Sequence, residues 1–197
     1  MEEMILILDF GSQYTQLIAR KIREINVYCE IKPYNAVNEL PENTKGIILS
    51  GSPFSVYDNN APKLLLEKWQ SKIPILGICY GAQFMAHLQG GNVKSSPSRE
   101  YGRAKLTYIK ENNTLFKNID LYSQVWMSHG DTITDIPSNF EIICSTENVN
   151  FAGYKIKNEE TYGIQFHPEV HHSEQGKQLL TNFVVDICKC SQSWTSE

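Results

Sequence analysis

The sequence predicts an α/β fold: an open, mainly parallel central sheet with helices on both faces and a strand-rich second half. Three observations carry this. Up to about Gly90, apolar runs too short for a helix alternate with segments of helical periodicity. Beyond Gly90, strand-like runs follow one another with short connections. A last amphipathic segment then offers one apolar stripe to the sheet.

Met4 to Leu8 is a continuous apolar run flanked by Asp9 and Gly11, as in a strand buried on both faces. Tyr14, Leu17, Ile18, Ile22 and Ile25 recur at helical spacing, with Arg20, Lys21, Arg23 and Glu24 opposite, which predicts an amphipathic helix. Val27 to Ile31 and Gly46 to Leu49 read as strands, Pro62 to Trp69 as a helix, Ile75 to Ile78 as a strand and Tyr80 to Leu88 as a helix. Strands are expected next at Ala104 to Ile109, Val125 to Met127, Phe140 to Ser145, Phe151 to Lys155 and Tyr162 to Phe166. Ser173 is the expected N-cap of the final helix, whose stripe is Leu179, Leu180, Phe183, Val184 and Ile187.

A length of 197 residues suits one domain. With 18 Lys and Arg against 22 Asp and Glu, the net charge is -4 and no basic block exists to neutralise a run of phosphates, which argues against nucleic acid as a partner. Apolar runs as short as Met4 to Leu8 cannot span a bilayer, so no membrane partner is expected. The start, Met-Glu-Glu-Met, is acidic where an export signal needs Lys or Arg. The five scattered cysteines, Cys29, Cys79, Cys144, Cys188 and Cys190, favour reduced thiols and hence the cytoplasm.

Cys79 directly follows an apolar strand, opens a helix, and is framed as Gly77-Ile-Cys-Tyr-Gly81. A nucleophile on a tight strand-to-helix turn needs small neighbours at those two positions, and unpaired N–H groups at the helix start favour a thiolate. A buried structural thiol at a strand end is the competing reading; the glycine frame and the strand-then-helix context favour the nucleophile. His167 ends a strand, Pro168 biases it towards extended backbone, and Glu169 two residues on can lean to the same side. Cys79, His167 and Glu169 would then be nucleophile, base and orienter, beyond the carboxyl ends of parallel strands. A metal site built from His167, Glu169, His171 and His172 with Cys188 and Cys190 is the weaker alternative, because no zinc-type Cys-x-x-Cys occurs. Asp131 suits a substrate ammonium group and equally suits a turn after Gly130.

Asp9-Phe-Gly-Ser-Gln-Tyr-Thr-Gln16, Ser50-Gly-Ser-Pro53, Gly77 to Gln83, Arg99-Glu-Tyr-Gly102, Trp126-Met-Ser-His-Gly-Asp131 and Gln165-Phe-His-Pro-Glu169 together resemble the class I (triad) glutamine amidotransferase domain. The resemblance covers essentially the whole chain and is closest to the branch serving purine biosynthesis; the expected sheet is then flavodoxin-like. It implies that Cys79 attacks the side-chain amide of L-glutamine, His167 protonates the departing ammonia and Glu169 orients His167. It further implies oxyanion donors at the backbone N–H of Ser52 and Tyr80, and glutamine-binding positions at Gly51, Gln83, Ser128, His129, Gly130 and Asp131. Position 52 is usually Gly in this pattern, so Ser52 puts the local backbone conformation in question. No cofactor and no metal are implied for this domain. ATP and Mg²⁺ belong to an ATP pyrophosphatase (synthetase) domain, the implied partner in cis or in trans, which receives the ammonia. Residues 1–190 are the expected amidotransferase domain, and 191–197 resemble the start of a linker to that partner, as in a piece of a longer enzyme. Arg99 to Gly102 is the candidate element for coupling the two, against a plain solvated turn. A free-standing Cys-His hydrolase or peptidase on a related fold, and a non-catalytic flavodoxin-like module with an inert Cys79, are the alternative functions.

Overall fold

Along the first strand, β1 (Met4–Asp9), side chains alternate between two cores: Ile5 and Ile7 enter one, Met4, Leu6 and Leu8 the other. A strand buried on both sides must lie inside a sheet covered on both faces, and the rest of the chain supplies that sheet and its covers. A computed structural model describes residues 2–196, with every side chain among them but that of Ser98. The further strands are β2 (Tyr28–Pro33), β3 (Thr44–Leu49), β4 (Ile75–Ile78), β5 (Asn92–Ile109), β6 (Gln124–Asp135), β7 (Phe140–Thr146), β8 (Gly153–Ile156) and β9 (Thr161–Ile164). They form a nine-stranded sheet in the order β2-β1-β3-β4-β9-β8-β7-β5-β6. The β2-β1-β3-β4-β9 half is parallel, and the remaining pairings, from β9 to β8 onward, are antiparallel.

Helix α1 (Thr15–Arg23) buries Ile18, Ala19 and Ile22 in the first core, which it shares with Leu179 and Leu180 of α3 (Gly176–Thr181). Helix α2 (Tyr80–Leu88) fills the other side with Tyr80, Ala82, Phe84, Met85 and Ala86. Helices therefore cover both faces, as the alternation of elements predicts. No helix among the described residues is long and apolar enough to cross a membrane.

The Pro62 to Trp69 helix is not formed: the segment holds only a 3-10 turn at Leu66–Lys68. Of its apolar residues, Leu65 is exposed while Leu66 and Trp69, three apart, are buried, a spacing that one tight turn satisfies without further helix. Ser173 does not cap the last helix, which starts at Gly176 with Gln175 before it. Its hydroxyl instead donates to His167 O (2.6 Å) and accepts from Trp126 N (3.0 Å). After Thr181 the helix continues through Asn182–Ile187 in π geometry.

Strands β5 and β6 are much longer than their apolar cores suggest: Glu100 to Gly102 pair within the ladder with Met127 to His129 and Ser95 with Asp131, while Arg99 and Gly130 sit at the irregularity between those pairs rather than in turns. Main-chain pairing carries these polar stretches, with Glu100 opposite His129 and Tyr101 opposite Ser128. At the C-terminal end, Ser191 N donates to Glu3 Oε2 (2.9 Å), Gln192 Nε2 to Ile25 O (3.0 Å) and Trp194 N to Asn26 O (3.0 Å).

Helix α2 can start directly beyond β4 because two glycines allow close approach: a Cβ on Gly81 would meet Leu49 Cβ and Leu49 O at 2.7 Å, and one on Gly77 the main chain of Gly81 at 2.7 Å. A Cβ on Gly130 would meet nothing within 4 Å. Gly81→Ala is therefore expected to destabilise the fold by about 1–3 kcal/mol, whereas Gly130→Ala changes it by under about 1 kcal/mol. Thermal melts of the two variants check this, and equal melting temperatures would contradict the steric account.

Candidate active site

Cys79 sits between β4 and α2 as the N-cap, with φ 54° and ψ -106°. A non-glycine residue in that sparsely populated region costs about 1–3 kcal/mol and persists only where its surroundings over-determine it. Here the restraints are visible: Cys79 N donates to Ile164 O (2.8 Å) at the end of β9, and Cys79 O accepts from Gln83 N (3.1 Å) in the first turn of α2. The turn lifts the thiol off the sheet edge, with Sγ 3.6 Å from Ser128 O and 3.5 Å from Gln165 Nε2.

His167 and Glu169 follow β9, the strand paired with β4. His167 N donates to Trp126 O (2.9 Å) and its carbonyl accepts from Ser173, so the main chain on both sides of the ring is tied to β6. Nδ1 donates to Glu169 Oε1 at 2.6 Å, leaving Nε2 as the nitrogen able to serve the sulfur. Glu169 is 1% exposed. Burial alone would disfavour a charged ring, but the Glu169 carboxylate and the Cys79 sulfur outweigh it and hold His167 well above the usual imidazole value. These two neighbours thus favour the charged form of the ring. The Tyr14 ring packs edge-on against it, centroids 5.0 Å apart, from just before α1.

A cavity of about 540 Å³ opens over Cys79 and His167. Its walls are the loop after β1 (Gly11 to Tyr14), the loop after β3 (Gly51 to Ser55) and the β5–β6 ribbon, with Arg99, Tyr101 and Ser128 to Asp131. These are the carboxyl ends of parallel strands, where open α/β sheets place their ligands. Gly51 has a steric role, since a Cβ there would lie 3.3 Å from His167 Cε1 and 3.7 Å from Cys79 Cβ. Ser52 lines the cavity and is not among the residues with positive φ, so the serine fits this backbone without strain. Tyr80 turns its hydroxyl away to donate to Pro62 O (2.6 Å), leaving its N–H, one of the first in α2, without an intrahelical acceptor. Arg99 joins His167 on the basic side of the lining and Asp58 and Asp131 supply carboxylates, a pattern suited to a zwitterionic amino acid.

Gln83 Nε2 donates to Asp131 O (2.8 Å), and the same carbonyl takes His129 Nδ1 at 2.7 Å. Burial lowers the His129 pKa against the pull of that carbonyl and of Glu100, whose Oε2 lies 3.3 Å from His129 Nε2. Of the predicted positions, Gly51, Ser52, Cys79, Gln83, Ser128 to Asp131 and His167 line this one cavity, Glu169 joins it through His167, and Tyr80 lies outside the lining. Ser12 and Tyr14 join the cavity wall with no role expected from sequence, Tyr14 reading there as one more apolar residue at helical spacing, while Gln165 reaches Cys79 and Ser173 holds His167 instead of capping a helix.

His171 and His172 point elsewhere: the His172 ring packs on Trp126 with centroids 4.8 Å apart, and Cys188 is buried in the first core. Among the described residues, no group of three or more His, Cys, Asp or Glu is arranged to hold a metal ion. All the cysteines are free. Burial pushes the Cys29 thiol up to about 11 and that of Cys190 up to about 12, and raises Cys144 and Cys188 as well.

Residues 6–187 match the family described as glutamine amidotransferase class-I, and the chain belongs to that family. Across its 197 residues it is 62% identical to the GMP synthase (glutamine-hydrolyzing) of Cytophaga hutchinsonii, of which it covers 39%. It is 58% identical over 195 residues to the enzyme of the same name from Bacteroides fragilis, covering 38% of that protein. The chain therefore spans about two fifths of the length of these relatives, 39% and 38%. Among solved structures, a putative GMP synthase subunit from Thermoplasma acidophilum superimposes with a TM-score of 0.83 at 29% identity, covering 96% of this chain and 95% of that one. A glutamine amidotransferase from Thermotoga maritima shares the fold, with a TM-score of 0.71 at 20% identity over 98% of this chain and 87% of that one.

Two outcomes follow from this electrostatic arrangement. Iodoacetamide near neutral pH should label Cys79 first, read by peptide mass mapping, because the other thiols are held neutral; faster labelling of any of those four would contradict it. In an NMR titration the His167 ring should keep its proton well above pH 6.5 and release it at lower pH in Glu169→Gln. Since the folded-state value is the raised one, the stabilisation from this pair is complete below about pH 6.5 and is lost as pH rises through the folded-state value. An unchanged titration in Glu169→Gln would remove Glu169 from this role.

Proposed function

We propose that this chain is the glutaminase part of a GMP-forming enzyme: it hydrolyses L-glutamine to glutamate and ammonia, and the ammonia goes to a synthetase domain that converts XMP to GMP. The observation that carries the reading is the strained Cys79 turn facing the buried His167–Glu169 pair at the floor of an open cavity with room for an amino acid. The identity to GMP synthases supports the acceptor. Residues 1–190 would be the amidotransferase domain, acting without a metal or other cofactor, and the following residues would lead to the synthetase domain, where ATP and Mg²⁺ are used. A chain whose thiols are all free suits the reducing cytoplasm.

The chemistry follows from the positions of the groups. The Cys79 thiolate attacks the side-chain carboxamide carbon, and the carbonyl electron pair moves onto oxygen, where the N–H groups of Ser52 and Tyr80 receive it. His167, in the imidazolium form that Glu169 favours, gives its proton to the amide nitrogen, so the carbon–nitrogen bond breaks with loss of ammonia and leaves a glutamyl thioester. The now neutral ring takes a proton from water, whose oxygen attacks the thioester, and the carbon–sulfur electron pair returns to Sγ as glutamate forms. Glu169 supports the ring charge at both stages without exchanging protons. Gly51, Gln83 and Ser128 to Asp131 would hold the substrate, with the Asp131 carboxylate facing its ammonium group.

Cys79→Ala is expected to abolish ammonia release while leaving the fold intact. His167→Asn should be nearly as damaging and Glu169→Gln milder, and the Cys79→Ala, His167→Asn double variant should be little worse than either single change. Additive losses would argue against one catalytic unit. Coupling is read by adding a saturating synthetase domain with XMP and ATP: faster glutamine turnover is expected, and unchanged kcat and KM would instead make the chain a free-standing glutaminase.

A further inference from the structure

We infer that Gln165 is a further catalytic residue of this reaction, donating a side-chain hydrogen bond to Cys79 Sγ and held in that orientation by a chain of amides anchored on a main-chain carbonyl. The inference rests on reading Cys79 as the nucleophile of the proposed glutaminase.

An amide side chain can present either end to a neighbour, so the direction of each bond must be fixed by a group that has no choice. Asp131 O is such a group, because a carbonyl only accepts. Gln83 approaches it at 2.8 Å and must turn its NH₂ end towards it. The same Gln83 Nε2 lies 3.0 Å from the side chain of Gln165 and offers its second hydrogen there, so Gln165 must present Oε1 to Gln83. Its Nε2 is then left facing Cys79 Sγ, at 3.5 Å. Reversing Gln83 would set its oxygen against Asp131 O, and reversing Gln165 would set NH₂ against NH₂ at Gln83 and oxygen against the sulfur. Gln165 is 1% exposed, and its main chain is pinned by Gln165 N donating to Ala152 O (2.9 Å) beyond the end of β9.

The donor acts on charge at sulfur. The Ser128 carbonyl, 3.6 Å from Sγ, can accept from a thiol S–H but repels a thiolate. A buried N–H on the same sulfur does the reverse, because a hydrogen bond to an ion is about twice as strong as one to a neutral acceptor. Gln165 thus favours the attacking thiolate. It also favours the second stage: when water has added to the thioester carbon and the carbon–sulfur bond breaks, the electron pair returns to Sγ, and the same N–H receives it. A residue that only filled buried space would affect neither step.

The test uses Gln165→Met, which keeps length and burial but removes the donor, and Gln165→Glu, which can still accept from Gln83 but offers sulfur no hydrogen. In Gln165→Met the pH at half-maximal alkylation of Cys79 by iodoacetamide should rise by about one unit, so labelling near neutral pH slows up to about 10-fold while the high-pH plateau is unchanged. The kcat for ammonia release should fall about 10-fold with KM within about 3-fold, and Gln165→Glu should be worse on both readouts. An alkylation profile for folded Gln165→Met that superimposes on the wild type overturns the inference. If the variants do not fold, the wild-type chain decides: the Gln165 side-chain amide resonances should shift as Cys79 ionises and should lose that shift in Cys79→Ala, and resonances blind to the ionisation overturn it. Alkylation needs no glutamine. A wild type that shows the predicted labelling behaviour yet releases no ammonia would sink the glutaminase reading and leave the hydrogen bond to sulfur supported.

Discussion

The site depends on one backbone constraint, the left-handed φ of 54° at Cys79. The turn exists because Gly77 and Gly81 remove the Cβ atoms that would press on the first turn of α2 and on Leu49 of β3. Packing of the first core, of the second core and of α2 thereby supplies the stability that offsets strain at a single residue. The consequence is positional: the sulfur, the first N–H groups of α2 and the loop carrying Gly51 all meet at one edge of the sheet.

That edge is also where charge is concentrated. The His167–Glu169 pair is nearly inaccessible to water, and such a pair is stable only when each charge has a partner. Sulfur is the natural third member, because it supports the imidazolium when ionised. The remaining thiols show the opposite logic: burial raises all four, outweighing Arg23 beside Cys29 and Lys45 near Cys190, so they stay neutral and chemically quiet. One chain thus contains the same functional group in two electrostatic settings, and backbone placement decides which is reactive.

Much of this is legible in the residues themselves. Met4 to Leu8, Ile75 to Ile78 and Tyr80 to Leu88 have the periodicity and the glycine punctuation of the elements they form, so the Cys79 turn could be placed from sequence. What escapes is structure held by main chain rather than side chains. The polar ends of β5 and β6 are strands because each pairs with the other, which no hydrophobic pattern records. The Leu66 and Trp69 spacing is shared by a helix and a single turn, and length alone separates them. Ser173 has the right chemistry for a helix cap, yet it serves as a clamp between His167 and Trp126, a job defined only by the return of the chain to β6.

The order of strands in the sheet has a temporal consequence. Cys79 follows β4, while His167 follows β9, the adjacent strand in space; Cys79 and Gln165 touch across 86 residues of sequence. Four strands, β5 to β8, are synthesised between them. Loop closure over such distances makes non-local parallel pairing slow, so the β4–β9 register belongs to the late stages of folding. A chain emerging from the ribosome with β4 and α2 already formed would carry the thiol without its imidazolium, its carboxylate or its amide donor. The sulfur therefore meets all three partners in one step, when β9 docks, and an unfinished chain carries only an isolated thiol.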